Sequence, residues 1–178
     1  KMGSSQQQKA ANHERLLAIA AKEFRTKGLD GLSVAELMSA AGLTHGGFYT
    51  HFASREALVA EALDKAFDDA RRDLFQEFNP KQDNALEAFI GTYLSPMHRD
   101  DPGRGCAITS LGAEIARESP KTRKAFAAKI DEMVEMMTDQ MPDVPRKTAR
   151  KQAIGAIATM MGTLVLSRVA GAGEFSDE

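Results

Sequence analysis

Apolar residues recur at helical offsets along nearly the whole chain. Leu17, Ala20, Ala21 and Phe24 share one face of a first helix, which Gly28 stops. Val34, Leu37, Met38 and Ala41 repeat the spacing. Ser33 and Glu36 form an S-x-x-E capping box at the start of this second helix, and Gly42 ends it. A very short segment follows from Thr44. The spacing then predicts a long helix from Ser54, with Val59, Leu63, Ala66, Ala70, Leu74 and Phe78 on one side and a stop at Asn79-Pro80. Leu86, Phe89, Ile90, Tyr93, Leu94 and Met97 mark another helix, the loop HRDDPGRG interrupts, and Ile108, Leu111 and Ile115 resume. Phe126, Ile130, Met133 and Met137 follow a start at Ser119-Pro120. Ile154, Ile157, Ala158, Met161, Val165 and Val169 follow Pro145. Two-residue alternation, internal repeats and low-complexity stretches are absent from the sequence. The expected fold class is all-α.

The stretch GLTHGGFYTHFAS, from Gly42 to Ser54, carries two adjacent glycines just before an aromatic pair. Gly42 suits a left-handed helix end. Thr44 is the expected N-cap of the next helix, with Leu43 and Phe48 as the hydrophobic staple across it. Helix, tight glycine turn and capped second helix together make a helix-turn-helix. That geometry sets the first residues of the second helix into the major groove of DNA. Gly46 and Gly47 then fall at the end that approaches the duplex. There a missing side chain admits the backbone, and free amides favour a phosphate. Phe48 and Phe52 are expected to be core residues that compensate for the lost helix propensity.

Charge supports this division. The net charge of the 178-residue chain is −2, but residues 1–55 sum to +3 and the remainder to −5. With 43% hydrophobic and 27% charged residues the composition is that of a globular protein. Cys106 is the one cysteine, so no internal disulfide forms, and a reducing cytoplasmic setting is the simpler expectation. The uncharged stretch Gln152–Ser167 is expected to be too short to cross a bilayer. The polar segment Lys1–Gln8 lacks the apolar centre of a signal peptide and is left out of the expected fold.

Residues 12–67 resemble the TetR/AcrR family of bacterial transcription regulators. The likeness is carried by the helix ending in Phe24, the Gly28 break, the Ser33 cap, and the runs AAGLT, FYTHF and SREAL. The resemblance implies a homodimer in which a three-helix head, residues 9–53, binds a palindromic operator. It also implies that a helical body, residues 54–178, holds a small-molecule pocket and the dimer contact. Carried over to this chain, it implies that Ser33 and Thr44 cap helices and touch phosphates. His45 would face bases, Tyr49, His51 and Arg55 would reach the phosphate backbone, and Gly46 and Gly47 would lie against the duplex. Direct base reading would rest on His45 and Thr50, because Ala35 stands where some members carry a base-reading side chain. DNA shape would supply much of the remaining specificity.

In the body, Phe67, Phe89, Tyr93, Met97, Cys106, Phe126, Met133 and Met137 are the expected pocket wall, since methionine adapts to varied apolar ligands. The last helix is apolar on more than one side, which makes Ile157, Met160, Met161 and Leu164 the expected dimer contact. The leading functional reading is a ligand-responsive repressor released from DNA by a small apolar or amphipathic molecule. One alternative is a thiol sensor built on Cys106, encouraged by Arg104 and a nearby helix N-terminus. A less favoured one is a helical carrier without DNA binding. Enzyme signatures are missing from the sequence: there is no G-x-S-x-G, H-E-x-x-H or Walker-type loop. His13, His45, His51 and His98 are scattered, and Asp100-Asp101 is a weak metal pair, so neither metal nor cofactor is expected.

Overall fold

The structure, a computed structural model, describes residues 2–75 and 84–177, and every regular element among them is helical. The expected stop at Asn79-Pro80 and the core position Phe78 lie outside the described residues. Helix α1 (Met2–Lys27) runs on into the polar N-terminal segment that the expected fold left out. It ends at Gly28, whose φ of 82° and ψ of 170° lie in a region open essentially to glycine alone. A 3₁₀ turn, Leu29–Gly31, leads to α2 (Val34–Ala40). Here the expected capping box is complete. The Ser33 hydroxyl accepts the Glu36 amide at 3.2 Å, and the Glu36 carboxylate accepts the Ser33 amide at 2.8 Å.

Gly42, at φ 69°, closes α2 with a Schellman turn: its amide bonds the Ser39 carbonyl, and the Leu43 amide bonds Met38. The next helix departs from expectation. Thr44 holds the extended N-cap backbone but makes no side-chain capping bond, and the segment opens with a 3₁₀ turn, His45–Gly47. Only then comes α3 (Phe48–His51). The two glycines also separate in role. A Cβ on Gly46 would meet open space, whereas one on Gly47 would stand 3.3 Å from Met38 Cε. Gly47 therefore lets the turn pack on α2, and Gly46 alone leaves its outer side bare.

Helix α4 (Arg55–Phe75) starts beneath Ser54, whose hydroxyl accepts the Ala57 amide at 3.1 Å. The single helix expected through Met97 is two, α5 (Ala85–Tyr93) and α6 (Pro96–Asp100). Pro96 has no amide to continue α5, and Ser95 caps a new start by accepting the His98 amide. α7 (Ala107–Ile115), α8 (Pro120–Thr138, capped by Ser119), α9 (Arg146–Ala170) and a short α10 (Glu174–Asp177) complete the order.

One buried core runs from Leu16, Phe24, Phe48 and Phe52 through Leu58 and Leu63 to Tyr93, Leu111, Met137 and Leu164. α9 is long and apolar enough, by length and composition, to cross a membrane, its apolar stretch resuming at Val169 and Ala170 beyond the charged Arg168. One face of it packs into the core through Ala149, Ala153, Ile157, Met160 and Leu164. Three of the four expected dimer contacts, Ile157, Met160 and Leu164, are therefore interior to the protomer, and Met161 is half-buried. The helix has two apolar faces about a third of a turn apart, and the sequence pattern does not say which is inside. The free one carries Ile154, Val165, Leu166 and Val169, all exposed.

The N-terminal unit is fixed to the body at the turn after α1. Glu114 of α7 accepts the Leu29 amide at 2.7 Å. A Cβ on Gly28 would lie 2.8 Å from that same carboxylate. Gly28→Ala is therefore expected to cost about 1–3 kcal/mol from backbone strain, with the displaced carboxylate adding to it. Urea unfolding measures this, and an unchanged midpoint would contradict the assignment.

Candidate nucleic-acid interface and apolar pocket

The exposed residues of the helix-turn-helix, its outer rim, include Ser33, Ala35, Thr44, His45, Gly46, Tyr49 and Thr50. Tyr49 is 76% exposed, its ring standing edge-on against the buried Phe48 ring at 5.3 Å. A phenol held out from a fixed core residue suits a phosphate oxygen. His51 sits lower, half-buried, with its ring 6.1 Å from His13 and 6.4 Å from Phe52. Its Nδ1 is buried without a partner, and burial, with His13 and Lys9 nearby, holds its pKa down. His13 is occupied elsewhere, its Nε2 2.8 Å from the Glu61 carboxylate.

Arg55 is turned inward. Its guanidinium donates to the Leu32 carbonyl at 3.0 Å and to the Leu29 carbonyl, and lies over the Phe24 ring. The arginine expected at a phosphate is, in this structure, a brace across the turn between α1 and α2. Arg15 braces the far end of α2, donating to the Ala41 carbonyl at 3.2 Å. Neither brace shows in the sequence pattern, because a carbonyl partner leaves no residue-type signal.

In the body, a cavity of about 260 Å³ lies between α4 and α8. Of the expected wall it brings together Phe67, Tyr93, Cys106 and Met133. The other four expected residues lie elsewhere. Phe89, Phe126 and Met137 are packed in the core, and Met97, carried onto α6 by the Pro96 break, is 41% exposed. Sequence reasoning missed Ala70, Leu74, Ile108 and Met136 in the wall, and a rim of Asp68, Arg71, Lys129 and Glu132. Spacing finds the apolar stripe of each helix but not which part of it faces a gap. A larger hollow of about 550 Å³ beneath α10 is crossed by its own bonds, Arg99 to Asp177 at 2.6 Å and Ser167 to Ser176 at 2.7 Å. Among the described residues no cluster of three or more metal-ligating side chains occurs.

Behind the cavity, Tyr93 donates to or accepts from Thr109 Oγ1 at 2.6 Å, and burial raises its pKa, keeping the phenol neutral. His98 is fully buried between Tyr93 and Cys106. The Cys106 amide must donate, so His98 Nε2 accepts it at 2.8 Å, and Nδ1–H donates to the Tyr93 carbonyl at 2.6 Å. Burial pushes the His98 pKa down to about 4, against the pull of the Tyr93 carbonyl and with help from Arg168.

Against known proteins, residues 16–62 match the family described as bacterial regulatory proteins, tetR family, and residues 83–175 match the LmrA/YxaF-like transcriptional regulator C-terminal domain. The chain belongs to the TetR family of bacterial regulators. It is 31% identical over 88 residues to the HTH-type transcriptional repressor KstR2 of Mycolicibacterium smegmatis, covering 49% of this chain and 42% of that protein. The match thus spans less than half of that relative's length. A crystal structure of a TetR transcriptional regulator from Chloroflexus aurantiacus superposes with a TM-score of 0.79 at 28% identity, over 92% of this chain and 87% of that one. Reduced Escherichia coli NemR shares the fold at 20% identity and a TM-score of 0.76, over 94% and 92% of the two chains. These relatives are named as transcriptional regulators or repressors.

The buried imidazole gives a pH signature. Between its ordinary value of 6.5 and about 4, the unfolded chain binds a proton that folded His98 refuses. Its contribution is complete above pH 6.5 and falls as pH drops, by about 2 kcal/mol at pH 5. Urea unfolding of the native chain is expected to lose that much between pH 7 and pH 5. His98→Asn, less stable at pH 7, should lose clearly less over the interval; equal losses would contradict the burial argument.

Proposed function

We propose that this chain is a ligand-responsive transcriptional repressor that binds a near-palindromic DNA site as a homodimer and leaves it when the body cavity fills. One observation carries the reading: α4 joins the two sites. Its first half packs against α1 of the head and buries Leu58 and Ala62 in the shared core, and its second half walls the cavity through Phe67, Ala70 and Leu74. A ligand seated against that second half acts on the helix that carries the head. If it prefers one head spacing, linkage requires that operator binding weaken by the same factor. Repression is the sign suggested by relatives named as repressors.

In this reading His45 and Thr50 meet base edges, while Ser33, Thr44, Tyr49 and the His45 and Gly46 amides meet phosphates, the Gly47 amide being held by the Thr44 carbonyl at 2.9 Å. Arg55 supports the rim from behind, and His51 stays neutral beside it. The dimer forms on the free face of α9 and the groove it makes with α8, lined by Ala127, Ile130, Ile154, Ala158 and Met161. The effector is a small apolar or amphipathic molecule with its body among Phe67, Ile108, Met133 and Met136. The regulator works in the cytoplasm, where bacterial DNA is. The thiol-sensor alternative keeps Cys106 on the cavity wall but loses Arg104, which turns to Asp73 at 3.3 Å.

Selection from random duplexes should return an inverted repeat with half-sites about 34–36 Å apart or somewhat more. Tyr49→Ala should weaken binding to all sequences alike, whereas His45→Ala should change the preferred sequence. No inverted repeat would sink the proposal. Val165→Asp, on the exposed face, should give folded monomers in sedimentation, and Leu164→Asp should instead unfold the body. A dimeric Val165→Asp variant would place the interface elsewhere.

A further inference from the structure

We infer that the Gly105–Cys106 peptide couples the cavity to the DNA-binding head through Arg25 of α1. The inference rests on the functional reading above and names the route by which its two sites communicate.

The two ends of this one peptide unit are held from different parts of the molecule. Its carbonyl, on Gly105, accepts Arg25 Nη1 at 3.1 Å, and its amide, on Cys106, donates to His98 Nε2 at 2.8 Å. The next side chain, Cys106, is cavity wall, and so is Tyr93, whose carbonyl holds the other His98 nitrogen. One imidazole therefore joins both wall residues to the peptide that Arg25 grips. The peptide cannot retreat toward His98: a Cβ on Gly105 would lie 2.5 Å from the ring. Arg168 of α9 fixes the far side, donating to the His98 carbonyl at 2.6 Å. A ligand that displaces Cys106 or Tyr93 must turn the peptide plane, and with it the carbonyl that Arg25 holds.

Arg25 is placed to pass that turn on. It is 5% exposed, no carboxylate lies within ion-pair reach among the described residues, and all its bonds go to carbonyls. Nη1 also donates at 3.0 Å to Ala66 of α4, the residue before Phe67 on the opposite cavity wall. One guanidinium nitrogen thus senses both walls. It sits one residue after Phe24, a core residue of the head, and three before the Gly28 break. The link is a contiguous hydrogen-bonded chain, the kind of physical path that coupling requires.

Cys106 is the chain's one cysteine, so its rate of reaction with Ellman's reagent reports on this peptide alone. The experiment uses the whole native chain with and without a saturating duplex from the selection, and a scrambled duplex as control. The selected duplex is expected to change the rate at least about fivefold, the lower end of typical coupling, and the scrambled one not at all. Arg25→Met should still bind the duplex, with the ratio collapsing to about 1, and Arg25→Lys, which reaches one carbonyl, should restore part of it. An unchanged rate in the native protein overturns the inference, as does a native ratio in Arg25→Met. If Arg25→Met fails to fold, the native ratio and a reduced ratio in Arg25→Lys decide. A native protein that binds no duplex overturns the functional reading and this route with it, and is told apart because no complex forms.

Discussion

The placement of the whole DNA-facing unit depends on how the turn from Gly28 to Leu32 is held. The body takes its amide side: Glu114 of α7 accepts the Leu29 N–H. α4 takes its carbonyl side: Arg55 donates to Leu29 and Leu32. Ser33 follows at once, so the direction in which α2 leaves, and hence the rim from Thr44 to Thr50, is set by these two charged groups. Each bond involves an ionised partner, the stronger class of hydrogen bond. The left-handed glycine before the turn is what lets a carboxylate approach so closely.

Seen from that turn, α7 is a short strut with a functional contact at each end. It begins beside the cavity, at Cys106 and Ile108, and ends one residue past Glu114. α4 runs alongside it, packed on the head at one end and on the cavity at the other. In the proposed reading a ligand between α4 and α8 would move the head as a body, because Phe24, Phe48 and Phe52 share one close-packed core.

Much of this was legible in the residues. Glycine punctuation and the capping box located α2 and the turn after it, because each rests on local backbone chemistry. The Phe48 and Phe52 core followed from spacing. What failed had non-local causes. The Ser95-Pro96 break was readable but was outvoted by the apolar period that continues through Met97. Arg15, Arg25 and Arg55 were not recognisable as braces, because the carbonyls they bind carry no residue identity. The two apolar faces of α9 differ only in which one meets α7 and α8, a fact of tertiary packing. The cavity was found in outline, four wall residues of the eight expected, because a methionine or phenylalanine stripe looks the same beside a gap as in a filled core.

Amide hydrogen exchange on the whole chain, free and bound to its selected duplex, tests the central claim most directly: that the rim reads DNA and the body feels it. The account predicts added protection from Ser33 to Glu36 and from Thr44 to Phe52. It also predicts changed exchange at the Leu29 and Cys106 amides, which lie in the body-facing joints, with the outer face of α8 unaltered. Protection confined to the body, or none along Thr44–Phe52, would contradict it.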